Sequence, residues 1–230
     1  MTSKRMERLN ALCEDKKYDY ISAIKLVQTM CDTKMKDESI DIAVKLGVDP
    51  RKSDQNVRGA ATLPNGLGKH VRIAVFADAS QEEALKAAGA MRVGLEDLAE
   101  EMKQGKLDYD RIIATPDAMK QVVSKLGQVL GPKGLMPNPK TGSVTNDLVQ
   151  AVKNAAGGQM VFRTDKAGII HGSIGRQSFD ADKIGENMVY LMKELKRLKP
   201  SSSKGAYFVS CHLSSTMSPG LDIDIQSMPI

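Results

Sequence analysis

Leu63-Pro64-Asn65-Gly66-Leu67-Gly68-Lys69 leads, after His70, into Val71-Arg72-Ile73-Ala74-Val75-Phe76-Ala77. The first run holds two glycines and a proline in seven residues, the composition of a boundary. The second is a nearly continuous apolar strand, of the kind a parallel sheet buries on both faces. Upstream the period is different. In Ser39-Ile40-Asp41-Ile42-Ala43-Val44-Lys45-Leu46-Gly47 the apolar residues alternate, with Ile40, Ile42, Val44 and Leu46 on one side. Ser39, Asp41 and Lys45 fall on the other, so this is a half-buried strand with one wet face. The fold changes character at residues 64–68.

Before that boundary, helical spacing runs over 4–13 and again over 21–31, and a strand is expected over 57–63. After it, strands at 71–77, 91–93 and 111–114 alternate with helices at 81–88, 95–103 and 115–126. Thr115 and Pro116 supply an N-cap and a first helical residue. Such alternation builds a parallel sheet with helices on both faces. A loop rich in Gly and Pro then spans Gly131 to Gly142, and a helix over 147–156 ends at Gly157-Gly158. The older pattern resumes: strands at 160–164 and 169–174, a long helix over 182–199 stopped by Pro200, and a strand on which Tyr207, Val209, Cys211 and Leu213 share a face. A last strand carries Leu221, Ile223 and Ile225.

Each outer piece is too small to hold a core alone. The expected architecture is therefore an α+β outer domain, 1–66 with 159–230, interrupted by an inserted α/β domain, 67–158. Gly66, Gly68, Gly157 and Gly158 make a double hinge at 64–68 and 157–158, since glycine absorbs large dihedral changes. The inserted segment holds 12 basic and 11 acidic side chains against 21 and 17 outside it, so four of the five excess positive charges sit outside.

The 230 residues are 41% hydrophobic and 27% charged, which excludes wholesale disorder. No run approaches the ~18 apolar residues of a membrane span, and no apolar stretch follows the basic start, so neither membrane nor secretory targeting is expected. Cys13, Cys31 and Cys211 are far apart and form no C-x-x-C pair. They read as plain thiols in a reducing compartment, cytosolic or equivalent. His70, His171 and His212 lack metal-ligand spacing, so neither metal nor cofactor is expected. The net charge of +5 permits a polyanionic partner. With aromatics at 4% and no Trp, base stacking on exposed rings is not encouraged.

The catalytic motifs fail. Gly66-Leu67-Gly68-Lys69 has Leu63 where a phosphate loop needs Gly, and His70 where it needs Ser or Thr. Ala77-Asp78-Ala79-Ser80 replaces a dinucleotide fingerprint, and Gly172-Ser173-Ile174-Gly175 is no nucleophile elbow. Three polar segments exceed what folding needs: Arg51 to Gly59, Gly131 to Gly142, and Ser214 to Gly220. The last offers hydroxyl and backbone groups suited to ribose and phosphate.

These segments, in this order, resemble the ribosomal protein L-one family. The most specific stretches are Lys45-Leu46-Gly47-Val48-Asp49-Pro50-Arg51-Lys52-Ser53-Asp54-Gln55-Asn56-Val57-Arg58-Gly59, Ala114-Thr115-Pro116-Asp117, Leu130-Gly131-Pro132-Lys133-Gly134-Leu135-Met136-Pro137-Asn138-Pro139-Lys140 and Ser215-Thr216-Met217. The bacterial or organellar branch fits best. The resemblance implies a split β-α-β sheet in the outer domain and a three-layer, Rossmann-like inserted domain. It implies a monomer when free that binds large-subunit ribosomal RNA, forms the mobile stalk at the exit site of the ribosome, and contacts deacylated tRNA there. It further implies repression of its own messenger RNA, and residence with ribosomes in the cytoplasm, or in the matrix of an organelle. Carried over by position, the RNA surface takes in Ser39, Lys45, Asp165, Lys166, Thr216 and Met217, and Ser215 and Ser218 on either side of that last pair are counted with it. Arg51, Lys52 and Arg58 lie beside it, and Lys133 and Lys140 mark a tRNA-facing loop.

Two departures stand out. Family members usually read Lys-Phe before the acidic pair where this chain has Met35-Lys36-Asp37-Glu38; Lys36 joins the surface on charge and position. They usually have Gly after Thr-Met, where Ser218 stands here. A backbone needing positive φ at that point would suit Ser218 poorly. The competing reading is an α/β enzyme that binds a small molecule in the inserted domain, and it lacks a phosphate loop or an acid–base set.

Overall fold

In chain order the elements are α1 (Lys4–Asn10), α2 (Tyr20–Met30), β1 (Ser39–Leu46), β2 (Arg58–Thr62), β3 (Ile73–Phe76), α3 (Glu82–Ala87), β4 (Arg92–Gly94) and α4 (Glu96–Lys103). They continue with β5 (Arg111–Ala114), α5 (Pro116–Leu130), α6 (Leu148–Ala156), β6 (Gln159–Arg163), β7 (Ile169–Arg176), α7 (Ala181–Arg197), β8 (Phe208–Ser215) and β9 (Leu221–Asp222). The structure is a computed structural model that describes residues 4–31, 37–105 and 107–230, with backbone only at 79 and 121–124. The chain forms two compact units: Met1–Gly68 with Met160–Ile230, and Lys69–Gln159.

The first unit is built on a four-stranded sheet, β7-β1-β8-β9. Strand β1 runs antiparallel to both β7 and β8. Those two are thus parallel to each other, joined through α7, and split by β1. Ile40, Ile42, Val44 and Leu46 turn inward and are at most 2% exposed. They share one core with Ile24 and Val27 of α2 and with Ile184, Met188, Leu191, Met192 and Leu195 of α7. Each such side chain contributes roughly 1.5–3 kcal/mol. Strands β2 and β6 pair separately and add Ala61, Met160 and Phe162 to that core. Asp19 caps α2, accepting from the Ile21 and Ser22 N–H groups at 3.2 Å each. At the end of β1, Gly47 leaves room for a passing chain: a Cβ there would stand 2.2 Å from the Ala206 carbonyl oxygen.

The second unit has a parallel sheet, β4-β3-β5. All four residues of β3 are buried. Ala74 and Phe76 face α4 and α5 through Leu98, Met102, Ala118, Leu126 and Leu130. Ile73 and Val75 face α3 and α6 through Leu85, Leu148, Val152 and Ala155. Thr115 caps α5, accepting from Ala118 N–H at 3.2 Å, with Pro116 next.

Three expectations need correction. Helix α5 continues to Leu130, four residues past the expected end. Val209 does not share the buried face of β8; it is 50% exposed. The ladder shifts between Lys45, opposite Ser210, and Leu46, opposite Phe208, which leaves Val209 as the extra residue of a bulge. The last strand stops at Asp222, and Ile225–Ser227 form a 3-10 turn capped by Asp224.

Candidate RNA interface

The wet face of the four-stranded sheet is the surface that the sequence pattern singles out. Side chains alternate along β1, so Ser39, Asp41, Ala43 and Lys45 emerge from the side opposite the core. Asp41 pairs with Ser173 and Ser214, Ala43 with His171 and His212, and Lys45 with Ile169 and Ser210. From Ser39 to Lys45 this strip is ~20 Å long.

At one end the Ser215-Thr216-Met217-Ser218 turn is fastened from below. Glu38 is 3% exposed and its Oε2 accepts from the Ser215 hydroxyl at 2.7 Å and from the Met217 N–H at 3.3 Å. Arg5 lies 3.8 Å from the same carboxylate. The anchored turn leaves Thr216 and Met217 exposed, Met217 at 48%. Ser39 donates to Asp41 Oδ2 at 3.0 Å and lies 3.1 Å from Thr216 Oγ1. With the Ser39 proton given to Asp41, Thr216 donates to Ser39 and keeps its lone pairs for an outside donor. Ser218 needs no positive φ; among the described non-glycine residues only Asp37 has one, at 52°. The Ser218 hydroxyl accepts from Ser215 N–H at 2.8 Å and so closes the turn. Asp37 is held there by Arg176, which donates to its carbonyl at 2.7 Å, and by Ser178 N–H at 2.9 Å.

At the other end, Asp165 shapes the turn that presents Lys166. Its Oδ1 accepts from Ala167 and Ile169 N–H groups at 2.8 Å each. The Ile169 N–H bond is the main reason its carboxyl lies below the ordinary range. Lys45, Asp165 and Lys166 are exposed. Arg51, Lys52 and Arg58 are exposed too, beside a loop fixed by Gln55, which accepts from Asp49 N–H at 2.8 Å. Lys36 lies outside the described residues.

Lys133 and Lys140 are exposed and belong to the second unit. Their loop is knit by Asn138 and Ser143: Asn138 N–H donates to Ser143 Oγ at 2.9 Å, and Thr141 Oγ1 lies 2.8 Å from that hydroxyl. At the expected hinge, Gly66, Gly68 and Gly158 have φ of 68°, 64° and 97°, while Gly157 closes α6 with φ −73°. Asn65 and Gly66 are tied to α7. Fully buried Asn187 accepts from Asn65 N–H at 3.0 Å and donates to the carbonyls of Gly66 and Ile174 at 3.0 and 2.8 Å. A Cβ on Gly68 would meet Phe179 at 2.8 Å.

The sequence reading missed Glu38, His171, His212 and Asn187. Alternation gives a signal for His171, which is out of phase with inward Ile170 and Ile174. Glu38 and Asn187 have none, because the segments they fasten, the turn at Ser215 and the chain at Asn65, are more than 100 residues away.

Comparison with known proteins agrees with this architecture. Residues 26–219 match the family described as Ribosomal protein L1p/L10e. The large ribosomal subunit protein uL1 of Pseudomonas aeruginosa (strain LESB58) is 55% identical over 230 residues, covering 98% of this chain and 99% of the relative. Its namesake in Azotobacter vinelandii is 56% identical over 227 residues, covering 98% and 97%, and that of Cellvibrio japonicus is 52% identical over 229, covering 99% and 98%. A match that runs through both units and every motif quoted above places this chain in the ribosomal protein L1p/L10e family, in its bacterial type.

Proposed function

We propose that this chain is a structural protein of the large ribosomal subunit that grips ribosomal RNA with the wet face of its split sheet. The observation that carries the reading is the juxtaposition of an anchored, hydroxyl-bearing turn, Ser215 to Ser218, with Ser39 and Lys45 on one open strand. Hydroxyls and an ammonium group suit ribose and phosphate rather than stacked bases. The family is one of ribosomal proteins, which sets the enzyme reading aside. Among the described residues no helix is long and apolar enough to cross a membrane. The protein works on ribosomes in the bacterial cytoplasm and is a monomer when free.

The same reading extends to the stalk at the exit site. The second unit carries Lys133 and Lys140 toward deacylated tRNA and assists its release. The two units turn about Gly68 and Gly158, because Asn187 holds Asn65 and Gly66 to α7 and leaves the pivot after them. Free copies bind a leader in their own messenger RNA through the same face and repress its translation.

Binding of the full-length chain to a labelled stalk-rRNA fragment at several salt concentrations tests the interface. Lys45→Ala lowers the salt slope by about one phosphate contact. Thr216→Val weakens binding by ~1–3 kcal/mol, because an RNA group is left unpaired, and leaves the slope alone. Unchanged affinity for both variants would sink the assignment.

A further inference from the structure

Two histidines stand on the same wet face, one on each side of Ala43. His171 on β7 and His212 on β8 are both its cross-strand partners. With strands ~4.8 Å apart, their backbones lie ~10 Å from each other across one alanine. The side chains are 61% and 48% exposed. His171 Nε2 lies 3.4 Å from Asp165 Oδ2, and His212 Nδ1 lies 3.9 Å from Asp222 Oδ1. His212 Nε2 also lies 3.2 Å from Ser210 Oγ. Other charged groups near the pair are Asp41 and Lys45 on β1, Lys166 on the turn before β7, and exposed Arg163, brought beside His171 by the Thr164–Ile170 bridge. Past β9, Lys17, Lys196, Lys199 and Asp224 line a groove that takes in Ser210 and Asp222.

Asp41, Asp165 and Asp222 stand among the cations Lys45 and Lys166, with Arg163 beside His171 and Lys17, Lys196 and Lys199 beyond His212. Two imidazolium ions add two positive charges to the middle of that strip. We propose that His171 and His212 are RNA-contacting residues, and that their protonation makes the middle of the interface a phosphate site whose strength depends on pH. The proposal rests on the RNA face argued above. Imidazole is the side chain that ordinarily changes charge between pH 5 and 8.

The test is binding of the full-length chain to the labelled stalk-rRNA fragment between pH 5.5 and 8.0, at several salt concentrations. Wild type binds several-fold more tightly at pH 5.5, with a salt slope steeper by about two contacts. His171→Gln with His212→Gln flattens that rise, and each single variant removes about half of it. Thermal melts at pH 5.5 keep the comparison to folded protein. A pH profile shared by wild type and the double variant overturns the histidine assignment. If Lys45→Ala still weakens binding in that case, the face itself stands. If Lys45→Ala and Thr216→Val are also silent, the face reading has failed.

Discussion

Strands β1 and β3 are each an interior strand of a sheet, and they are buried in different ways. In β1 only every second residue is buried, while all four residues of β3 are. The cause lies in the connections. Strands β3, β4 and β5 are parallel, so each crossover lays a helix on one face or the other, and the sheet ends up covered on both sides. The first unit's sheet is antiparallel around β1, and α2 and α7 both serve the same core. Its second face is left to polar residues. One unit therefore spends its sheet wholly on stability, and the other keeps half of it available for a partner.

The largest effects should come from breaking that contrast directly. Val75→Asp and Phe76→Asp are adjacent and point to opposite faces, yet both should cost more than ~4 kcal/mol, enough to unfold the second unit. In β1 the same pair of changes should diverge. Ile42→Asp should unfold the first unit, while Ala43→Asp should shift its urea midpoint little and weaken RNA binding by adding a negative charge to the strip. A collapse of stability in Ala43→Asp would show that the open face is needed for folding.

A smaller effect sharpens where one region ends. Asn187→Leu removes the partner of Asn65 N–H and of the Gly66 and Ile174 carbonyls. Unpaired buried groups of this kind cost ~1–3 kcal/mol each, partly offset by water at the more open ones, so a loss of about 2 kcal/mol is expected. Protease cleavage near 65–68 should rise in parallel. Unaltered cleavage would mean that the clamp does not hold the segment.

The smallest expected effect concerns the edge of the second unit. Burial alone would raise the Asp110 carboxyl. The Arg72 guanidinium and N–H, with Lys69, outweigh it and bring it to about 2. Because the folded value lies below the unfolded one, the stabilisation is full above pH ~4 and disappears as pH falls toward 2. With both cations about half exposed, solvent screening leaves about 1 kcal/mol. Asp110→Asn should lose that much at pH 7 and nothing near pH 2, as followed by thermal melts. A constant difference across that range would assign the loss to packing.

Much of this was legible in the residues themselves. Strict alternation in 39–47 and continuous apolar character in 71–77 fixed two kinds of strand, because side-chain direction along a strand has a period of two whatever the partner. Pro64, Gly66 and Gly68 marked the change between them, and Thr115-Pro116 the start of α5. Lys45 and Ser39 could be placed on the wet side for the same local reason. What tertiary structure alone decided is everything that depends on register. The bulge opposite Lys45 and Leu46 turned Val209 out of a face that its own alternation assigned to the core. Cross-strand pairing set His171 and His212 about Ala43, and the fold carried Glu38 to a turn 177 residues away. Periodicity is a property of a few neighbouring residues. Register is settled by the packing of segments far apart in sequence, and no local pattern in either segment records which residue of the other it will meet.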